Sequence, residues 1–550
     1  TYTYLDAGRT LTNSGTVNYA PAAAYLSVYN GSTINNAATF DIQTDQGIAS
    51  SGAGNLFANT GTLRKSAGAG VSILFPAIDS TGLLEVLSGT IALQGGGAAS
   101  ALFSFSVSVG AALEFRSTYT LSSGGTFAGP GNYRIDGGNL IVSPAVGVTI
   151  PNLTLAAGYL SGGGTVTLTG TATWSGGTMG HSGNPGGTTI VDSAATLNLT
   201  NTTYKYLDQG RTLTSNGTIN YNAPTSYLSI YNGSTLNNAG LFDIQSDSGI
   251  AVSGAGNALN NSGTLQKSGG TGLSTLSVPV NNSGAANATS GTLELSGGGT
   301  HSGTFVAGPT ATFEFGGGNH ASTAGSYSGA GTIAVTAGNV VLSGTTVYLP
   351  ASTQVTGGSL VLNSNGSTTS LTQSGGYLGG SGTFTITGAV TWSGGTWGEP
   401  TYTGGTTVID PGVTVLLNGA TTYTYLAYGR TLTNNGTISY TATGQYLTIQ
   451  VGSTLNNAGL FDLLSDQIIY AAGAGPNVFA NSGTLQKSAG IGTSVLYARL
   501  DNSGTVLAST GTISLAGGGS SSSVLSAASS SVIEFTSTYT VNTGGTFSGL

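Results

Sequence analysis

One pattern, repeated at two scales, restricts what this chain can fold into. The segment GRTLTNSGTVNY at 8–19 recurs as GRTLTSNGTINY at 210–221 and as GRTLTNNGTISY at 429–440. Inside each copy, a small residue ends an Asn-rich turn every 21 to 24 residues. These small residues are Gly15, Ala38, Gly61 and Gly82, then Gly217, Gly240, Gly263 and Gly284, then Gly436, Gly459, Gly483 and Gly504. A segment that short cannot bury a core of its own, so we expect each to be one coil that stacks on the next.

The longer period divides the chain into three long repeats, at 1–202, 203–421 and 422–550. The third repeat ends in GGTFSGL, which matches GGTFAGP at 124–130 inside the first. We therefore expect an interior slice of an array. Its terminal coils would either continue into more coils of the same polypeptide or stack end to end with another molecule.

The local pattern inside a coil predicts β structure. In YLSIYNGSTLNNAGLFDIQ at 227–245, aliphatic residues alternate with Tyr and Ser, and NGS and NNAG supply corner residues. The pattern predicts strand, turn, strand and turn in an all-β, right-handed parallel β-helix (β-solenoid) with coils of about 21–24 residues. About 25 coils spaced by about 4.8 Å would give a rod on the order of 120 Å long. Aliphatic side chains would stack in columns, and corner Asn side chains would form ladders. Tandem β-sandwiches, the alternative, need turns every 8 to 12 residues or so.

Composition excludes several other classes of protein. The chain is 38% hydrophobic and 5% charged, with a net charge of -8 and no cysteine. It can bury a core, but neither disulfides nor thiolate metal sites can hold it together. Its 11 basic residues form no stripe that would neutralise phosphates, so nucleic acid is not an expected partner. No apolar run approaches the roughly 20 residues that cross a bilayer, so membrane insertion of this segment is not expected.

Two segments carry a resemblance to known families. NPGGTTIVDSAATLNL at 184–199 and TYTGGTTVIDPGVTVLL at 401–417 resemble the passenger-associated repeats of bacterial autotransporters. STLNNAG and TLTNNGT are similar to the corners of filamentous-haemagglutinin-type adhesins. Both families form right-handed parallel β-helices at bacterial surfaces, so the resemblance implies an extracellular location. Neither family has a shared catalytic set to transfer to this sequence.

Three pairs of aspartates are the best candidates for chemistry. They are spaced by four residues and recur once per long repeat: Asp41 with Asp45, Asp243 with Asp247, and Asp462 with Asp466. Such a pair could bind Ca²⁺ as a cofactor through its oxygen ligands, or serve as glycosidase carboxylates. The alternative is a solvated corner in which the aspartates form surface ion pairs with the next coil, through Lys65, Lys267 and Lys487.

Aromatic residues give a second set of candidates. Tyr25, Tyr29, Tyr227 and Tyr231 alternate with aliphatic residues, so we expect them to point outward. There they could stack on sugar rings or on a neighbouring rod, or only cover their own sheet. Trp174 and Trp392 are expected to cap or fill the core. The histidines, His181, His301 and His320, have no metal-site spacing and are interpreted as scattered surface residues.

These observations favour a non-catalytic structural or adhesive rod of a large repetitive bacterial surface protein. Expected partners are other copies of the rod, end to end or laterally, and surface glycans. Two alternatives stay open: a carbohydrate-binding or carbohydrate-active β-helix, and an ice-binding solenoid suggested by the Thr alternation TFTIT at 383–387. With so few titratable groups, we expect stability to vary weakly with pH.

Overall fold

The computed structural model describes residues 3–224, 226–419 and 422–549. Over these ranges the chain consists of short strands joined by turns, and no helix is present that could span a membrane. The strands form two compact units, Thr1–Val278 and Pro279–Leu550. The two units are defined by contacts within the fold and do not test the long-repeat boundaries proposed from the sequence, which stay a prediction.

Successive coils pair in parallel, in register, one coil above the next. Thr10 is the register partner of Thr33, and Thr33 that of Leu56, a shift of 23 residues at each step. Each such coil has three strands rather than the two that the sequence pattern indicated. The third arises because the asparagines interpreted as a corner lie at the end of a strand, as in Thr235–Asn238. The predicted fold class is confirmed: an all-β parallel β-solenoid with about 25 coils.

The strands are mostly three or four residues long. Those of the first four coils of the first unit are Thr3–Leu5, Thr10–Asn13, Thr16–Tyr19, Leu26–Tyr29, Thr33–Asn36, Thr39–Ile42, Ile48–Ser51, Leu56–Asn59, Thr62–Lys65, Val71–Leu74, Ala77–Ser80 and Leu83–Val86. Those that carry later sites of this unit are Ala112–Phe115, Asn132–Val142, Leu153–Ser161, Thr171–Trp174, Gly177–Met179, Thr188–Val191, Lys205–Leu207, Thr212–Ser215, Leu228–Tyr231, Leu241–Ile244 and Thr264–Lys267.

The second unit repeats this arrangement with some longer strands. Its site-bearing strands are Thr292–Leu295, Gly299–His301, Thr304–Ala307, Thr312–Ser322, Ser326–Leu342, Val347–Val355, Tyr377–Gly379, Thr383–Ile386, Val390–Trp392, Gly395–Trp397, Thr406–Ile409, Thr424–Leu426, Thr431–Asn434, Leu447–Gln450, Thr454–Asn457, Leu460–Leu463, Ile468–Ala472, Val478–Asn481 and Thr484–Lys487. The longest strand, of 17 residues, pairs with its neighbours through register shifts, so it continues around a bend of the coil.

The core consists of apolar columns that run from coil to coil. In one column Phe40 is the register partner of Leu63, and Leu63 of Leu84, and all three are fully buried. Each such side chain contributes about 1.5–3 kcal/mol by leaving water. Trp174 and Trp392 also lie inside, so the prediction that they fill the core is confirmed.

Asparagine ladders form, as predicted, along one edge of the stack. In the first unit Asn13 donates to Asn36 at 2.7 Å, and Asn36 donates to Asn59 at 2.8 Å. In the second unit the same ladder runs through Asn434, Asn457, Asn481 and Asn502. Each of these amides bonds its neighbour inside the fold, which holds the coils in register and gives most of the buried polar atoms a partner.

The small residues that mark the short period are explained by close stacking. A Cβ added at Gly61 would lie 2.2 Å from the carbonyl oxygen of Ala38 in the coil below. One added at Gly263 would lie 2.2 Å from the carbonyl oxygen of Gly240. Neither φ is in the left-handed region, so the constraint is the approach of successive turns rather than backbone conformation.

Candidate functional site

Three equivalent corners hold a lysine ammonium inside the coil. Lys65 donates from Nζ to the carbonyl oxygen of Thr44 at 2.8 Å, to Asp45 Oδ1 at 2.9 Å and to Ser72 Oγ at 2.9 Å. Lys267 and Lys487 make the same ion pair with Asp247 at 2.8 Å and with Asp466 at 2.6 Å. All three donors of Lys65 are therefore satisfied at the junction of two coils.

The predicted ion pairs are present, but the prediction that they lie on the surface was wrong. The three lysine side chains are 0% exposed, and their aspartate partners are 48%, 44% and 41% exposed. The carboxylate therefore lies between the buried ammonium group and the solvent. The hydrogen bond from the lysine lowers the pKa of Asp45, Asp247 and Asp466. The lysines face inward because they continue the strand alternation of Leu63, Leu265 and Leu485.

The first aspartate of each pair lies on a strand and has different partners. Asp41 is buried beside Arg64, whose Nη2 is 3.1 Å from its Oδ2, and Gln43 also donates to it. Although burial opposes its charge, hydrogen bonds from Gln43, Ser66 and Arg64 lower the pKa of Asp41. Asp243 accepts from Gln245, and Asp462 accepts from Ser488. Within each pair, the second aspartate therefore binds a buried lysine, whereas the first binds other polar side chains.

Calcium binding by these aspartates stays a prediction. In the described part of the chain, no three His, Asp or Glu side chains are grouped so that they could hold a metal ion. A calcium ion at Asp45 would have to share the carboxylate with the buried Lys65 ammonium, which lies 2.9 Å away.

Two buried arginines, which the sequence analysis did not single out, repeat at the long period. Arg211 donates from Nε to Thr189 Oγ1 at 3.1 Å and from Nη1 to the carbonyl oxygen of Gly162 at 3.2 Å, two coils below. Arg430 makes the same bonds to Thr407 and Gly380, at 2.9 and 3.1 Å. Burial lowers the pKa of both guanidinium groups to about 10, so they stay charged at neutral pH. Neither arginine has a carboxylate partner among the described residues.

The burial of lysine gives a direct chemical test. All four lysines of the chain are 0% exposed, and burial lowers the pKa of the fourth, Lys205, to about 8. We expect an amine-reactive ester at neutral pH to modify none of them in the folded chain, because reaction requires the coils to open. Peptide mass mapping after brief labelling measures this. The chain unfolded in guanidinium, which should react at all four, is the control, and rapid native labelling of Lys65, Lys267 or Lys487 would contradict the buried positions.

The predicted tyrosines lie on the outside of the coils. Tyr25 and Tyr227 are 46% and 48% exposed, and Tyr29 and Tyr231 are half-buried. Tyrosines on successive coils form rows that the sequence analysis recognised only in part. Ring pairs in these rows are Tyr4 with Tyr29, Tyr204 with Tyr227, Tyr206 with Tyr231, Tyr423 with Tyr446, Tyr446 with Tyr470 and Tyr470 with Tyr497, at 6.3, 6.4, 5.7, 6.1, 5.0 and 5.2 Å. The rings cover their own sheet and still present surface to solvent.

The interpretation of the histidines was wrong for two of the three. His301 and His320 are 3% and 1% exposed, and His301 Nε2 lies 3.1 Å from His320 Nδ1 on the next coil. Burial lowers the pKa of His301 to about 3 and that of His320 to about 4. His301 is the register partner of Asn282, so it takes a ladder position inside the coil. His181 alone remains partly exposed.

The Thr alternation at 383–387 continues in one column only. Thr383 is followed on successive coils by Thr406, Thr431 and Thr454. The adjacent outward column has Thr385, Val408, Thr433 and Asn456 in the same register. The paired threonines therefore occur in alternate coils, and ice binding stays a prediction.

Fold and sites together define the class: a parallel β-solenoid repeat protein whose buried charges join coils and whose surface carries rows of tyrosine. No family model, characterised protein or solved structure matches the chain. The likeness to autotransporter passengers and filamentous-haemagglutinin-type adhesins therefore rests on the sequence motifs alone.

Proposed function

We propose that this chain is a non-catalytic, structural and adhesive segment of a bacterial surface protein, a rod that holds binding surfaces away from the cell. The observation that carries the proposal is the burial of its cationic side chains. Of 11 lysines and arginines, six are fully buried: Lys65, Lys205, Lys267, Lys487, Arg211 and Arg430.

Most of these buried cations join one coil to another. Lys65 holds the carboxylate and backbone of the preceding coil, and Arg211 reaches two coils back to Gly162. Charged hydrogen bonds of this kind are about twice as strong as neutral ones. Together with the asparagine ladders, they resist separation of the coils when the chain is pulled along the stack. A mechanical role accounts for the recurrence of the lysine–aspartate pair in each long repeat and of the buried arginine in the second and third.

The rows of tyrosine support the adhesive part of the proposal. Tyrosine offers a large rigid ring at small entropic cost, and exposed rings on successive coils form an extended surface for glycans or for another copy of the chain. The extracellular bacterial location follows from the resemblance of 184–199 and 401–417 to surface-protein repeats. A carbohydrate-active enzyme is the weaker alternative, because Asp247 is held by Lys267 and Asp243 by Gln245.

Immunogold labelling of intact source cells with antibodies against the purified chain tests the proposal. We expect label on the outer surface, and weaker attachment of cells that lack the 1–550 segment. Deletion of 203–421 joins equivalent positions and keeps the coil register, so this shorter chain is the control that should still reach the surface. Label found only after permeabilisation, or unchanged attachment without the segment, would contradict the proposal.

A further inference from the structure

Two depressions meet on the outside of the first unit. One, of about 340 Å³, lies between Tyr159, His181, Tyr206, Asp208 and Tyr231. The other, of about 410 Å³, is lined by the same Tyr159 and His181 together with Arg116, Asn139 and neighbouring residues. The Tyr159–His181 pair therefore forms a platform with a concave surface on each side. We call the whole feature the Tyr159 groove.

Local sequence explains why a groove forms here. The corner at 180–187 is longer than most and contains three glycines with positive φ: Gly180, Gly186 and Gly187. It is tied back by the bond from Gly162 N–H to the carbonyl of Asn184 at 3.1 Å and by that from Gly186 N–H to the carbonyl of Gln209 at 2.8 Å. The corner thus projects and holds its shape. On the other side, Gly137 and Gly138 carry no side chain that would fill the space.

The polar atoms of the groove are fixed in direction. His181 accepts at Nδ1 from the N–H of Gly183 at 3.1 Å, so the neutral ring carries its proton on Nε2 and offers a donor. The ring stands edge-on to Tyr159, with 4.5 Å between centroids. Asp208 accepts at Oδ1 from Gln209 N–H and from Asn232 Nδ2. Among the described residues no hydrogen bond occupies its Oδ2, which offers an acceptor.

The charges that line the groove favour a neutral ligand over an anionic one. Arg116 is neutralised by Glu114, with Nε 2.8 Å from Oε2, whereas Asp208 has no cation partner in the described part of the chain. An anionic ligand would meet an uncompensated carboxylate. A neutral saccharide has apolar C–H faces that fit the exposed ring of Tyr159 and the half-buried rings of Tyr206 and Tyr231, and hydroxyls that can both donate and accept.

We propose that the Tyr159 groove binds a neutral oligosaccharide, with sugar faces on the tyrosine rings and hydroxyls hydrogen-bonded to His181 Nε2 and Asp208 Oδ2. This proposal rests on the adhesive function proposed above and names its ligand class and one of its sites.

The second long repeat provides a matched control, because the equivalent positions differ. Tyr377 is 36% exposed and takes the place of Tyr159, which is 38% exposed. Glu399 replaces His181, and its Oε2 is occupied by the N–H groups of Thr401 and Tyr402 at 2.7 Å each. Ala427 replaces Asp208. The ring is retained there, but the hydrogen-bonding groups are not.

The test is titration of the purified full chain with cello-, malto-, manno- and chito-oligosaccharides, followed by saturation-transfer NMR and calorimetry. We expect at least one neutral oligosaccharide to bind with a dissociation constant below about 1 mM. Tyr159→Ala and His181→Ala should each weaken binding by about tenfold or more. Tyr159→Phe should keep most of the affinity, and Tyr377→Ala should leave it unchanged. Circular dichroism establishes that each variant is folded.

Three results would overturn the proposal: no binding by any member of the panel, equal loss in Tyr159→Ala and Tyr377→Ala, or tighter binding of an anionic oligogalacturonate. These failures are distinct from failure of the adhesive function. A chain that labels the cell surface and supports attachment, yet binds no neutral oligosaccharide, would refute the groove alone.

Discussion

Replacing Arg211 by alanine should destabilise its part of the stack by about 3–5 kcal/mol. The guanidinium is fully buried and supplies donors to Thr189 Oγ1 and to the carbonyl oxygens of Gly162 and Gly186. Its removal leaves those acceptors without donors and opens a cavity that spans three coils. Arg430→Ala should have the same effect in the second unit, because its partners are equivalent.

Coils in a long stack open separately, so the loss of stability has to be measured locally. Hydrogen exchange provides this local measurement. The reporters are the amides of Thr188 and Thr212, which donate to Gly164 and Gly187. Arg499→Ala is the control: the Arg499 side chain is 57% exposed and pairs with Asp501 on its own strand, so its loss should change stability by no more than about 1 kcal/mol. Equal effects of Arg499→Ala and Arg211→Ala, each on its own coils, would show that the buried guanidinium does not join the coils.

The architecture follows from the sequence because a regular period leaves few solutions. Small residues recur at the spacing of one coil since a side chain at Gly61 would meet the backbone of the coil below. Asn13 and Asn36 recur at the same spacing since their amides bond each other. Outward Tyr227 follows from its place next to buried Leu228. In each case the sequence pattern directly reflects the position of the residue in the stack of coils.

The prediction for the three buried lysines was wrong because residue type was given precedence over register. Lysine and arginine are almost never fully buried unless paired, so Lys65 was assigned to the surface. Yet Lys65 lies two residues after Leu63 on one strand, and alternation alone places both inward. Arg211 stands in the same relation to Leu213, which is buried. The strand alternation therefore predicts that these side chains point inward. No sequence rule, however, shows that backbone carbonyls and a distant aspartate will surround the charge.

The Tyr159 groove could not be predicted for a different reason. Its platform joins Tyr159 to His181, 22 residues later, and its floor depends on the path of the corner at 180–187. The sequence GHSGNPGG indicates a turn but does not fix which way the turn projects. A site assembled from adjacent coils requires the register, which only the structure supplies.

The region around His301 and His320 should lose stability as the pH falls from about 6.5 towards 4. His320 Nε2 donates to the carbonyl of Gly317 at 2.9 Å, so its Nδ1 accepts from His301 Nε2–H. Among the described residues, His301 Nδ1 has no hydrogen-bond partner. A further proton would either face the neighbouring N–H or charge a ring that is buried among Phe305 and Phe315. Glu314, on the strand of His320, and Glu294, on the strand Thr292–Leu295 that pairs with it, occupy outward positions of the strand alternation and do not compensate the charge.

The sign and size of this effect follow from the pKa values. In the unfolded chain both histidines take up protons near pH 6.5, whereas in the folded chain they do so near 3 and 4. Stability is therefore complete above about pH 6.5 and declines below it, by on the order of 5 kcal/mol at pH 4 for the pair. The aspartates with lowered pKa act in the same direction, but only below about pH 4. We therefore expect these coils to depart from the weak pH dependence that composition predicts for the chain.

Hydrogen exchange of Gly299–His301 and Thr312–Ser322 at pH 7 and about pH 4.5, corrected for intrinsic rates, measures the decline. The double variant His301→Ala/His320→Tyr copies the residues at these positions in the first long repeat, Ala99 and Tyr119. Tyr119 is buried there and its hydroxyl donates to the carbonyl of Ala98 at 3.1 Å, so the replacement fits the fold without a titratable imidazole. We expect this variant to keep its protection at both pH values. If the parent chain is equally protected at both, or if the variant loses protection in the same way, the acid sensitivity does not come from the histidine pair.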